Sequence, residues 1–367
     1  MSSSAAPRPP LAAPLLALVL LLATGGISCQ KVGFTLVKLM PGVTNDPRNR
    51  TMRREIMGFG SKEFCKELMR RGTPLKLRDD APAIGRFFAT QCFHQELEND
   101  DVFVQFSGHG YTWTQPSGRI GFKLQGAIQY NPDFLLEGKT MYAYFRPRTV
   151  QSSKFETVML ERVATNPLGG LFAGSAQETA NRMGNQIIAQ EFQRGFTVLR
   201  DDDGSVDYGN GIIERGQRPF HPYQVRGSDK ALLASDWVEI HEQQREFLGP
   251  FEIEGDDRAL FLTANLDGTP AVDVMLFQRT PGDTWLQAYI NQASTTPPPM
   301  PPMLSDVLAQ GREWKRTVPL KPGQYYLVID HSSTAGPVSP PPTQPGVLGT
   351  SDVAAVVRYV AQVGDAP

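Results

Sequence analysis

Alternating apolar and polar positions dominate the middle of the chain. Val102 to Ser107, Ile120 to Tyr130, Thr140 to Arg146 and Phe155 to Glu161 are rich in aromatic and β-branched residues and are punctuated by Gly, Pro and Asn, the pattern of strands. An antiparallel sheet follows from that order. From Ser175 to Arg194 the period lengthens: Ala176, Ala180, Met183 and Ile187 recur at helical spacing, and Gly195 stops the run. This helix is expected to pack on the sheet. Phe196 to Arg200 and Ser205 to Tyr208 flank Asp203-Gly204, which predicts a two-residue hairpin. Two shorter stripes come earlier. Phe64, Cys65, Leu68 and Met69 precede Gly72, and Ile84, Phe88 and Cys92 follow the cap residue Asp80, so both are expected to be helices.

Beyond the loop-like stretch from Arg215 to Ser228 the pattern is strand after short strand. Arg258 to Ala264, Ala271 to Gln278, Trp285 to Ile290, Glu313 to Val318, Gln324 to Asp330 and Ala354 to Val363 have the spacing of a β-sandwich. Proline-rich stretches around Pro297 to Pro302 and Pro337 to Pro345 are expected as surface loops, because proline cannot serve a central ladder. At 367 residues two domains are the default. The expected architecture is an α+β domain over 61–228, an antiparallel sheet with a packed helix, followed by an all-β sandwich over 229–367, with 30–60 as a polar tether carrying Arg48, Arg50, Arg53 and Arg54.

The first residues set the compartment. Arg8 precedes an apolar run from Leu11 to Ala23, too short for the roughly 20 residues that a bilayer crossing needs, and of the right length for a signal-peptide core. Small residues follow, ending Gly26-Ile27-Ser28-Cys29. That junction resembles the lipobox of bacterial lipoproteins, with Gly26 standing where the family usually has leucine. The resemblance implies a diacylglycerol on Cys29 and attachment to a membrane, most naturally the outer membrane. Cleavage by ordinary signal peptidase, with Gly26 and Ser28 as the small residues, gives a periplasmic or secreted protein instead. Of three cysteines, Cys65 and Cys92 then remain, and in an oxidising envelope they either pair or sit separately as small buried hydrophobes.

Charge narrows the field further. With 36 basic against 38 acidic side chains the net charge is -2, which gives no reason to expect nucleic acid as a partner. The stretch Val318-Pro319-Leu320-Lys321-Pro322-Gly323-Gln324-Tyr325-Tyr326-Leu327-Val328 resembles the penultimate hairpin of pre-peptidase C-terminal-type β-sandwich modules, which implies a non-catalytic accessory domain. Pro322 and Gly323 suit the two central positions of a type II turn, so the following strand is expected to pair back on the one before.

The sharpest catalytic pattern is Asp100 to Gly110, ending Ser107-Gly108-His109-Gly110. It resembles the histidine motif of caspase-like cysteine peptidases and implies His109 as general base. That chemistry needs a thiol downstream of the histidine, and no cysteine follows Cys92. A strand ending in a glycine-rich turn is the competing account. Asp201, Asp202, Asp203 and Asp207 cluster around Gly204 as if for calcium, yet EF-hand counting places Leu199 and Asn210 where acids belong, so a solvated hairpin tip is the expectation. His94, His221, His241 and His331 are scattered without zinc spacing, and no P-loop, GxSxG elbow or dinucleotide fingerprint is present. Neither a metal nor a cofactor is expected.

These readings converge on a non-catalytic cell-envelope lipoprotein with a binding or assembly role. Its partners would be the membrane, through the lipid on Cys29, and an envelope protein or an apolar ligand. Phe122, Tyr130, Tyr142, Tyr144 and Phe145 could line a pocket for the latter or form plain core. The alternatives are an inactive relative of caspase-like peptidases centred on His109 and a purely structural envelope component. A parallel central sheet with helices on both sides would favour the peptidase lineage, and an antiparallel meander with one long helix the binding reading.

Overall fold

The computed structural model describes residues 45–49, 51, 53–54, 57, 65, 68–78, 80–115, 117–162, 173–202, 206–223, 229–340, 344–346, 349–351 and 353–367. The leader and its junction at Cys29 lie outside them, as does the Asp203-Gly204 tip. The fold is predominantly β, in two principal sheets.

The first half is an antiparallel meander. A short strand β1 (Thr73–Lys76) pairs with β2 (Ala83–Glu96), and β3 (Val102–Thr114), β4 (Gly118–Glu137) and β5 (Thr140–Leu160) follow in order. Three irregularities in the β4–β5 register let β5 run unbroken through Pro147, so the two strands expected over 140–161 are one. Helix α1 (Ala173–Arg194) packs along β5, and β6 (Phe196–Asp201) and β7 (Val206–Asn210) form a hairpin on the far part of β5, in which Arg200 stands opposite Val206, a register that the two-residue turn expected at Asp203-Gly204 does not give. Among the described residues no strand pairs with that edge of β5 beyond Phe145, and α1 lies along it. The Asn185 and Asn181 side-chain oxygens accept from the Phe155 and Thr157 amides at 2.8 and 2.7 Å, and the Gln177 amide donates to the Thr157 carbonyl at 2.8 Å. Amides four residues apart on a helix thus meet alternate residues of a strand, which satisfies backbone groups that an edge would expose.

The second half is a sandwich. β8 (Ala231–Ile240), β9 (Gln244–Ile253), β10 (Arg258–Asp267) and β11 (Ala271–Gln278) lead into helix α2 (Arg279–Asn291). β12 (Leu304–Ala309), β13 (Trp314–Leu320), β14 (Gly323–His331), a small ribbon of β15 (Gln344–Gly346) and β16 (Gly349–Ser351), and β17 (Ala355–Asp365) complete it. A four-stranded sheet, β12-β11-β14-β9, faces β13-β10-β17-β8 across a core that includes Val238, Leu248, Leu262, Leu276, Leu327 and Val357. The two halves share a sheet: β8 also pairs with β2, in parallel at Ala83 and Val238, giving one 11-stranded sheet across the expected boundary.

Several expectations need correction. Residues 83–96 are strand β2 instead of the helix expected behind Asp80: Ile84, Phe88 and Cys92 fit a helical period, but Ala83 and residues 85–88 are all buried because both faces of the strand are covered there. Residues 285–290 are helical, since Trp285, Leu286, Tyr289 and Ile290 form one buried stripe of α2. The Pro322-Gly323 turn closes no hairpin. It carries the chain from β13, paired with β10, to β14, paired with β9 and β11, in the opposite sheet. The stretch 30–60 is no free tether in its described part: Met57 is core, Arg53 lies over the Phe134 ring at 4.3 Å and ion-pairs with Asp133, and the Asn45 side chain bonds both backbone groups of Leu136.

Candidate functional site

His109 lies in the middle of β3, not in a turn, because β3 runs on to Thr114. Gly108 is glycine for packing: a Cβ there would stand 2.1 Å from the Phe88 carbonyl oxygen, on the strand that bulges at Thr90. Opposite, Gly121 on β4 lets the end of α2 settle on the sheet, since a Cβ would meet the Ile290 carbonyl oxygen at 1.8 Å. The helix is therefore held against the outer face of β3 and β4. His109 stacks on Phe88, and its Nε2 accepts from the Gln287 side-chain amide of α2 at 2.7 Å. That bond leaves the ring proton on Nδ1. Burial holds the imidazole below its ordinary pKa, with Lys123 acting in the same direction and Asp283 opposing, so His109 is neutral at neutral pH.

The His109–Gln287 bridge divides a trough between sheet and helix into two clefts. One, of about 210 Å³, is lined by Thr90, Ser107, Lys123, Gln125 and Asn291 among others. The second, of about 220 Å³, reaches Arg71, Pro250, Arg279, Asp283 and Tyr326. Asp283 there is engaged by the Tyr326 hydroxyl at 2.8 Å and by Arg279 at 3.2 Å.

A nucleophile for His109 is missing from this set. Cys65, in a helical segment, and Cys92 on β2 are joined in a disulfide with Cα atoms 5.3 Å apart, so neither offers a thiol. The hydroxyls in reach are spoken for: Thr90 donates to the Ser107 carbonyl at 3.3 Å and Ser107 to Gln91 at 3.1 Å.

The other candidates are dispersed. Asp201 is held by Arg218 and Thr140, Asp207 by His221 at 2.7 Å, and Asp202 lies 3.6 Å from Lys139, so these three acids, expected on a solvated hairpin tip, face protein cations. Among the described residues no three ligating side chains gather to hold a metal ion. His241 stacks on Trp113 and His331 is buried against the Ile240 carbonyl, while His94 is on β2, so the histidines do not converge. Phe122, Tyr130, Tyr142, Tyr144 and Phe145 are all buried in core clusters, and the clefts lie elsewhere. Among the described residues no helix is long and apolar enough to cross a membrane.

Sequence reasoning missed Gln287, Asn291, Lys123 and Gln125. Lys123 and Gln125 stand two apart on β4, a signal for a polar face, but nothing in that spacing says that a helix comes to lie over it.

No family model matches the chain, and no curated protein matches it. Among solved structures it is similar to a chain described under "Bacillus endospore appendages form a novel family of disulfide-linked pili", at 10% identity and a TM-score of 0.18, covering 40% of this chain and 100% of that one. A likeness this slight bears on neither fold nor activity.

Proposed function

We propose that the chain is a non-catalytic binding protein of the cell envelope, exported by its leader, held to a membrane through lipid on Cys29, and built as an α+β unit followed by a β-sandwich. The binding reading places the ligand in the trough beside α2. One observation carries it: the catalytic-looking histidine spends its basic nitrogen on Gln287, and the two cysteines of the folded part are consumed in a disulfide. An imidazole that accepts from an amide has no acid or thiol to exchange a proton with. The antiparallel order β2-β3-β4-β5 with one long helix also favours binding over the peptidase lineage. Export is supported by the leader residues and, independently, by the disulfide, since such bonds persist in oxidising compartments.

Two measurements test this reading. A broad peptidase, esterase and glycosidase panel with the purified chain is expected to show no turnover above that of His109→Ala, and turnover abolished by that substitution would overturn the reading. Mass spectrometry of the mature amino terminus from the native host is expected to find a diacylated Cys29, and an intact leader on the folded protein would refute export.

A further inference from the structure

The cleft of about 210 Å³ opens onto the outer face of the meander, and the strand register spells out the chemistry of that face. Gln91 stands opposite Ser107, which stands opposite Gln125, which stands opposite Lys154. The next row runs Phe93, Gln105, Ala127 and Ser152. Gln91, Gln105, Gln125, Ser152 and Lys154 are exposed, and Phe93 is 54% exposed, so among the described residues no layer covers these side chains. Gln287 and Asn291 of α2 extend the same chemistry along the wall of the cleft.

An amide side chain both donates and accepts, and adjacent sugar hydroxyls do the same, so a row of amides matches a polyhydroxylated chain without demanding charge. Rows across the sheet repeat at the inter-strand spacing of about 4.8 Å, close to the length of one pyranose unit. An exposed phenyl ring offers a flat apolar surface to the C–H face of a sugar. Charge completes the match. Glu156, opposite Lys123 in register, pairs with Lys154 at 3.1 Å, and among the described residues no carboxylate lines the cleft to which Lys123 contributes. In the cleft lining Lys123 is the cation among neutral donors, and on the face beside it Lys154 is held by Glu156, so the surface suits a single anionic group and is too little for a polyphosphate backbone.

We propose that this cleft and the amide-lined face beside it bind an acidic oligosaccharide, with hydroxyls across Gln91, Gln105, Gln125 and Gln287, a sugar ring on Phe93 and a carboxylate at Lys123. The assignment rests on the binding reading above and names its ligand class.

The test uses the purified full chain on an array of carboxylate-bearing oligosaccharides, uronates and lactyl ethers, printed beside neutral counterparts of the same linkage, with titration calorimetry on the members that bind. Binding confined to the acidic members is expected. Lys123→Gln should weaken it about tenfold, equivalent to the loss of one exposed charge-assisted contact. Phe93→Ala and Gln125→Ala, both at exposed positions, should weaken it as well while leaving the circular dichroism melt unchanged. Silence from every acidic member, equal binding of the neutral ones, or indifference to Lys123→Gln would overturn the proposal. The two readings fail differently. Peptide binding lost in Lys123→Gln would retain a binding site and discard the saccharide, whereas cleavage of a printed saccharide lost in His109→Ala would discard the non-catalytic reading and retain the ligand class.

Discussion

Tyr111 and His109 stand two residues apart on the same face of β3, and their surroundings differ in kind. The Tyr111 hydroxyl is buried, donates to Glu246 at 2.8 Å and accepts from the Phe247 amide at 2.9 Å, while Glu246 takes Arg86 Nε at 2.7 Å. Around it, the Tyr289 hydroxyl donates to Gln244 at 2.6 Å, and Arg245 pairs with a fully buried Asp330 at 2.8 Å. Arg119 lies over the Tyr289 ring and donates to the carbonyls of Gln292 and Ala293 just past the end of α2. These groups bind one another and fasten the two halves of the molecule together. At His109 the polar groups are half-exposed, and Lys123 and Gln125 face solvent. Polar side chains that close on themselves hold a fold, and those left with unspent hydrogen-bonding capacity at a cleft are available to a ligand.

The contrast can be broken most forcefully at Glu246. Glu246→Ala would leave the Arg86 guanidinium buried without its counter-charge, and a loss of about 3–5 kcal/mol is expected in chemical denaturation. A loss below about 1 kcal/mol would mean that the junction does not depend on this pair.

The amide ladder of α1 belongs to the structural side of the comparison and sharpens it. Asn185→Ala removes an acceptor for the Phe155 amide and a donor to its carbonyl, with an expected cost of about 1–2 kcal/mol. Amide hydrogen exchange should speed up at Phe155 and stay slow at Leu124, its partner on β4. Uniform acceleration would contradict a local role.

His221 gives the smallest effect and one with a pH signature. Its Nδ1 donates to the Ser235 carbonyl at 2.8 Å and its Nε2 to Asp207 at 2.7 Å, so both nitrogens carry protons. Burial opposes that charge, but the hydrogen bond and negative charge of Asp207 outweigh it, and the pKa is raised above 6.5. A raised folded-state value stabilises fully below the unfolded value and is lost as pH climbs through the folded one. The stability gap between the native chain and His221→Ala should therefore narrow as pH rises above 6.5. A gap that widens would reverse the assigned charge.

Legibility in the sequence followed the same division. Strands β3, β4 and β5, helix α1 and the pairing of β6 with β7 were readable because one face of each is apolar at its proper period, although the register of that last pair is not the one a turn at Asp203-Gly204 sets. Strand β2 was not, because burial on both faces erased its alternation and left a spacing at Ile84, Phe88 and Cys92 that imitates a helix. Residues 285–290 failed for the opposite reason: Trp285, Tyr289 and Ile290 are good strand formers, and only the three-dimensional stripe shows them as helical. Of the site, His109 was visible through its flanking glycines, which turn out to serve backbone approach. Its partner Gln287 lies 178 residues away with no local pattern to link them.

Paired denaturation of variants on β3 tests the division most directly. His109→Ala and Gln287→Ala are expected to lose less than about 1 kcal/mol each, and Tyr111→Phe about 2 kcal/mol or more, because only the last leaves buried partners unsatisfied. If His109→Ala costs as much as Tyr111→Phe, the cleft is part of the scaffold and not a place held open for a ligand.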